Sequence, residues 1–215
     1  LCMEAFSGTL IESIEIPARL TSLEGTNVFA ISTLKTVTFE AGYNYANIPN
    51  STFATSKITT IDIPDCVTKI GMNAFSKCTL LKTVNFGSGS RLKEIGSNAF
   101  NGCAALIGHA TDGFMLPDTV TEIGANAFQN CKALAKFTFT NTDKDNALET
   151  LPANMFNGCT KLNTVVFPKQ SRIKTIGDNA FKGCTALATM SIPDSVTKIG
   201  VSAFEGCTVW GKLMT

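Results

Sequence analysis

The stretch Ile176-Gly-Asp-Asn-Ala-Phe-Lys-Gly-Cys-Thr-Ala-Leu-Ala-Thr-Met-Ser-Ile-Pro-Asp-Ser-Val-Thr-Lys198 decides the fold, because it restarts at once with Ile199-Gly200. Phenylalanine marks the same slot nine times, at Phe6, Phe29, Phe53, Phe75, Phe100, Phe128, Phe156, Phe181 and Phe204. The spacings are 23, 24, 22, 25, 28, 28, 25 and 23 residues. Aligned on these positions, the unit reads I-G-x-N-A-F-x-x-C-x-x-L-x-x-h-x-h-P-x-x-h-x-x, where h is apolar. One such unit cannot bury its own apolar face. A stack of them can, so the period by itself predicts a solenoid of about nine coils.

Each column carries a local reading. The runs Leu81–Phe86 and Leu162–Phe167 alternate with period two and are rich in β-branched and aromatic residues, which predicts a strand. A second short segment follows, as in Val67–Ile70 and Val196–Ile199. Gly71, Gly96, Gly124, Gly177 and Gly200 occupy a slot where a tight bend calls for positive φ. Pro49 and Pro152 stand in that slot in two units, so the bend tolerates both. Asn27, Asn73, Asn98, Asn126, Asn154 and Asn179, with Ser51 and Ser202, precede the Phe by two residues. These are N-cap residue types and predict a short helical turn; an asparagine ladder between coils is the alternative. The expected fold is an α/β solenoid of nine repeats of 22–28 residues. It has a parallel β-sheet on one face and short helical turns and irregular segments on the other.

Composition agrees with a packed array. Of the 215 residues, 44% are hydrophobic and 16% charged, enough to build a core and too apolar for disorder. The net charge of +1 and the lack of a Lys/Arg cluster give no case for nucleic acid. No apolar run is long enough to cross a bilayer. The chain opens at Leu1, in the Ile slot of a unit, and stops at Thr215 just past a strand, with no polar cap on either end. The expectation is one solenoid over residues 1–215, as a fragment of a longer protein.

Six of the eight cysteines fall in one column: Cys78, Cys103, Cys131, Cys159, Cys184 and Cys207. A residue repeated once per coil at an inward slot is a packing residue, and we expect free, buried thiols. Cys2 and Cys66 lie off that column, Cys66 as a candidate for exposure. There is no C-x-x-C and a single histidine, so no zinc site is expected.

The string I-G-x-N-A-F-x-x-C-x-x-L-x-x-h-x-h-P resembles the BspA-like (Treponema-type) leucine-rich repeat family. Units from Ile70 to Cys207 match it closely and the first three more loosely. The resemblance implies an elongated, curved, right-handed solenoid on surface and secreted proteins of mucosa-associated bacteria and some parasitic protozoa. It also implies a link to adhesion. The partner it implies is a host or neighbouring-cell protein, such as a matrix protein, or a glycan. A repeat defines a scaffold and names no ligand.

A search for catalytic chemistry finds little. His109 is the sole histidine, in an insertion, with no nucleophile at a telling spacing. Gly206–Leu213 imitates a phosphate loop but lacks the closing Ser/Thr and lies inside a repeat. The chain therefore reads as no enzyme, with no cofactor or metal.

Binding is left to two places. On the L-x-x-h-x-h strand, the third and fifth positions point outward. Unit by unit they are Ser13/Glu15, Thr36/Thr38, Thr60/Asp62, Thr83/Asn85, Gly113/Met115, Lys136/Thr138, Thr164/Val166 and Thr189/Ser191. This face is dominated by hydroxyls, which also suits plain β-propensity on a solvated strand. The second place is the rim, where insertions put Tyr43, His109, Asp143, Lys144 and Asp145. Tyr45 aligns with a core slot, so Tyr43 is the expected exposed aromatic. The leading reading is a surface or secreted adhesion-type binding module using this face and its rims. The alternative is a spacer that projects other domains.

Overall fold

The computed structural model describes residues 6, 8–20, 25–140, 148–188 and 190–207. These form fourteen short strands. Longer ones are β1 (Ser13–Ile16), β2 (Thr36–Phe39), β4 (Thr60–Ile63), β6 (Thr83–Phe86), β8 (Phe114–Leu116), β10 (Lys136–Phe139) and β12 (Thr164–Val166). Two-residue strands stand just before the Gly/Pro slot: β3 (Asn47–Ile48), β5 (Lys69–Ile70), β7 (Glu94–Ile95), β9 (Glu122–Ile123), β11 (Thr150–Leu151), β13 (Thr175–Ile176) and β14 (Lys198–Ile199). Every pairing is parallel and joins successive coils, as a β-solenoid requires. The long face is three sheets, β1–β2, β4–β6 and β8–β10–β12; the short face is two, β3–β5–β7–β9 and β11–β13–β14.

No helix occurs among the described residues, which corrects the expected α/β solenoid to an all-β one. The reason lies in the asparagine column. Those six asparagines, with Ser51 and Ser202, have φ of 54–60°, the left-handed region, whereas an N-cap residue is extended. A second left-handed column stands just before the cysteine slot, at Thr55, Lys77, Gly102, Asn130, Gly158, Gly183 and Gly206. Between the two columns, alternate N–H groups leave the coil. Asn73 donates to Ser97 (3.0 Å), Phe75 to Ala99 (2.8 Å) and Lys77 to Asn101 (2.7 Å), all in the next coil. The intervening N–H groups of Ala74, Ser76 and Cys78 close turns onto Gly71, Asn73 and Phe75. Helical i→i−4 bonding has no donors left. The ladder between coils exists, but backbone makes it.

The glycine column also has a different cause from the one expected. None of Gly71, Gly96, Gly124, Gly177 and Gly200 has positive φ. A Cβ on Gly96 would instead stand 2.6 Å from the Met72 nitrogen of the preceding coil. Close approach of backbones excludes the side chain.

The core is one continuous cluster. All nine column phenylalanines stack in an unbroken spine from Phe6 to Phe204, with ring centroids 5.2–5.9 Å apart. Beside it runs the thiol column. Cys78, Cys103, Cys131, Cys159 and Cys184 are free and buried; Cys207 is free and half-buried. Each Sγ donates to the carbonyl of the preceding coil's phenylalanine, from Cys78 to Phe53 at 3.0 Å through Cys207 to Phe181 at 3.2 Å. Cysteine suits the slot because it is small, apolar and still a weak donor. Burial pushes the Cys78 thiol up to about 11 and Cys103 and Cys131 well above the usual range. Cys66 is half-buried rather than exposed, donating to the Tyr43 carbonyl at 3.3 Å; Cys2 lies outside the described residues.

Candidate functional site: the outward strand lanes and the rim

Pairing in register turns the outward positions into lanes that cross the coils. Ser13 faces Thr36, Thr60 faces Thr83, and Lys136 faces Thr164 in the first lane. In the second, Glu15 faces Thr38, Asp62 faces Asn85, and Thr138 lies between Met115 and Val166. The intervening residues, such as Val37, Ile61, Val84, Phe137 and Val165, are buried, so the alternation read from the sequence sets the face. Thr36, Thr38, Thr60 and Asp62 are exposed; Thr83, Asn85, Lys136, Thr138 and Thr164 are half-buried. Ser191 is exposed but lies outside any strand, and Thr189 lies outside the described residues.

The face changes character along the array. Its first half carries the carboxylates Glu15 and Asp62, the latter accepting from Asn85 Nδ2 at 2.6 Å. In the later half the second lane turns apolar, with Met115 42% and Val166 39% exposed either side of Thr138. Apolar side chains on an outward lane are the type of surface that contacts a partner.

The rim is only partly as expected. His109 is exposed, on a loop closed by paired backbone bonds to Gly113 at 2.8 and 2.9 Å. Asp143, Lys144 and Asp145 lie outside the described residues. Tyr43 is no exposed aromatic. Only 7% of it reaches solvent, and its ring meets Phe39 edge-on at 4.8 Å. Its burial raises the hydroxyl pKa. Tyr45 is half-buried and packs against the core, so neither tyrosine is an exposed aromatic. The 40–47 insertion folds inward at Tyr43 because the apolar ring covers the end of β2.

Two grooves open along the long face. One of about 360 Å³ lies between the ends of β2 and β4, lined by Phe39, Glu40, Tyr43, Asp62 and Pro64 among others. The other, about 650 Å³, lies between β12 and residues 190–195. Sequence alternation gave no sign of either, since residues 190–192 carry the strand pattern yet form no strand. Among the described residues no cluster of three or more metal-ligating side chains occurs. Nor, among the described residues, is any helix long and apolar enough to cross a membrane.

Three solved structures resemble this chain. A leucine rich cell surface protein from Faecalibacterium prausnitzii is 32% identical with a TM-score of 0.68, over 93% of this chain and 46% of its own. A leucine-rich repeat protein from Eubacterium ventriosum is 26% identical with a TM-score of 0.55, over 95% of this chain and 61% of its own. One from Bacteroides ovatus, 24% identical with a TM-score of 0.59 over 95% and 61%, shares the fold. The chain thus spans about half to three-fifths of these relatives. No curated protein matches it. The family model described as "BspA type Leucine rich repeat region (6 copies)" matches residues 1–111 and 109–210. With the nine-phenylalanine spine and the parallel coils, that match settles the family: the chain belongs to the BspA-type leucine-rich repeats.

Proposed function

We propose that this chain is a binding module of a surface-exposed or secreted protein, which presents its long sheet face and rim loops to a protein of a host or neighbouring cell. The observation that carries the reading is the pair of outward lanes, in which exposed hydroxyls, carboxylates and apolar side chains run in register across successive coils. Such a surface offers many spaced contacts on a rigid support, which suits a large partner better than a small substrate. The cell-surface relative from Faecalibacterium prausnitzii supports the location.

The test is a pull-down from mucosal or matrix extract with the native chain and with a Thr36→Lys/Thr60→Lys/Thr83→Lys variant of unchanged melting temperature. The variant should lose at least about tenfold in bound partner, as for disrupted interface contacts. Undiminished binding would remove the sheet face from the function, and no binding by the native chain would favour a spacer.

A further inference from the structure

The groove between the ends of β2 and β4 differs in charge from the other groove of the long face. Its lining holds two carboxylates, Glu40 and Asp62, and no cation. The other is balanced by Lys169 and Asp194. Glu12, Glu94, Glu149 and Glu205 are each paired with a lysine. Among the described residues, Glu40 and Asp62 have no such pair. Both are exposed, and both are held in place by their neighbours. Glu40 Oε2 accepts the Ala18 N–H at 2.8 Å, and Asp62 Oδ1 accepts from Asn85 Nδ2 at 2.6 Å. The second oxygen of each has no donor among the described residues.

The wall of the groove adds an observation independent of charge. Tyr43 is 7% exposed, and its hydroxyl has no hydrogen-bond partner among the described residues. Its backbone is fully used: the N–H donates to Glu40 at 3.0 Å and the carbonyl accepts from Cys66 Sγ at 3.3 Å. What this lining residue leaves unfilled is therefore the phenol oxygen, and an orphaned buried polar group calls for a partner. Phe39, half-buried, and Pro64 supply apolar wall beside it. The volume of about 360 Å³ lies at the small end of the ~300–1,000 Å³ of ligand clefts, room for one side chain rather than a folded segment.

We propose that this groove is a slot for a single arginine side chain of the partner protein; the inference rests on the protein-binding reading above. Two carboxylates without a cation select a positive group by charge complementarity. Arginine fits better than lysine. Its planar guanidinium forks onto carboxylates, stacks on an aromatic ring such as Phe39, and is only weakly hydrated. Its several N–H donors serve both carboxylates and leave one for the Tyr43 oxygen. The methylene stem covers the apolar wall at Phe39 and Pro64 while the charged head meets the carboxylates.

The probe is Nα-acetyl-L-arginine methylamide, titrated into the isotope-labelled full chain and followed by amide NMR. We expect saturable shifts confined to Phe39, Glu40, Gly42, Tyr43, Asp62 and Ile63. The citrulline analogue has the same shape without the charge and should bind at least about tenfold more weakly, as for a lost charge pair. Glu40→Gln/Asp62→Asn should weaken the arginine probe to the same extent. Tyr43→Phe should weaken it about threefold, the worth of one hydrogen bond, and should melt no lower than the parent because the orphaned group is gone. Glu122→Gln, an exposed carboxylate of the short face, should leave probe binding unchanged. No localised shifts, equal binding of the citrulline analogue, parent affinity in Tyr43→Phe, or an equal loss in Glu122→Gln overturns the proposal. So do the same shifts produced by methyl glucoside in place of the arginine probe, which would make a glycan the occupant, or by concentrating the chain alone, which would make it a second copy. A partner captured from matrix extract equally by the parent and by Glu40→Gln/Asp62→Asn overturns the slot and leaves the binding-module reading standing; no captured partner overturns both.

Discussion

Asn126 separates two accounts of the turn, and substitutions there have opposite rank orders. Its φ is 60°, and its N–H donates to Ala153 in the next coil at 3.0 Å, a bond that any non-proline residue retains. Left-handed backbone costs a residue with a Cβ roughly 1–2 kcal/mol, which asparagine tolerates better than most and glycine escapes. Asn126→Thr places a β-branched side chain there and should cost at least about 1–2 kcal/mol. Asn126→Gly should stay within about 0.5 kcal/mol of the parent, as relief of strain offsets the freer unfolded chain. An N-cap would behave otherwise. Threonine would then be nearly neutral and glycine would lose a few tenths of a kcal/mol. In a chain of 215 residues each kcal/mol moves Tm by about 2–4 °C, so the threonine variant should melt about 2–8 °C lower. Thermal unfolding by circular dichroism, with exchange of the Ala153 and Phe128 regions to catch local opening, reads the difference. A threonine variant that melts with the parent while the glycine variant is the weaker would refute the left-handed turn.

Further substitutions probe the other columns. Lys77→Gly removes left-handed strain at φ 59°, in a column where Gly102 and Gly158 already stand. It should raise stability by about 0.5–1 kcal/mol in urea titrations. Phe128→Ala breaks the spine between Phe100 and Phe156, at 5.2 and 5.9 Å, and should cost about 3–5 kcal/mol; a loss under about 1 kcal/mol would show that the stack is not structural. Gly96→Ala drives a Cβ into the Met72 backbone and should cost about 1–3 kcal/mol or more, seen as faster exchange in both coils. The thiol column predicts a pH response. The folded pKa of Cys78, about 11, exceeds the unfolded value of about 8.5, so the neutral thiol's contribution is complete below pH 8.5. It is lost as pH rises towards 11, and melting temperature should fall over that window, less steeply in Cys78→Ala. Unreduced, denatured protein should titrate at least six free thiols, while the native state keeps the five buried ones unreactive.

Much of this architecture is written locally. Period-two alternation told which strand residues point inward, because side-chain direction follows from the chain's own pleat, and Val37, Ile61 and Phe137 are buried while Thr36, Thr60 and Asp62 are not. The asparagine column was visible but ambiguous, since asparagine favours both an N-cap and the left-handed region. What removed the ambiguity was a neighbouring coil close enough to take every second N–H. Tyr43 was misplaced for a related reason: an insertion has no column to align with, and only the packed end of β2 shows its ring covered by Phe39.

The sequence by itself determined the period, the nine-phenylalanine spine, the thiol column and the outward lanes, because each is a residue type repeated at a fixed place in a coil. The tertiary structure decided what depends on the distance between coils. That distance excludes a Cβ from Gly96 and draws backbone N–H groups away from any helix. Residues 190–192 carry the pattern of a strand yet form none. Pairing between chain segments is a property of two backbones together, and no single repeat carries it.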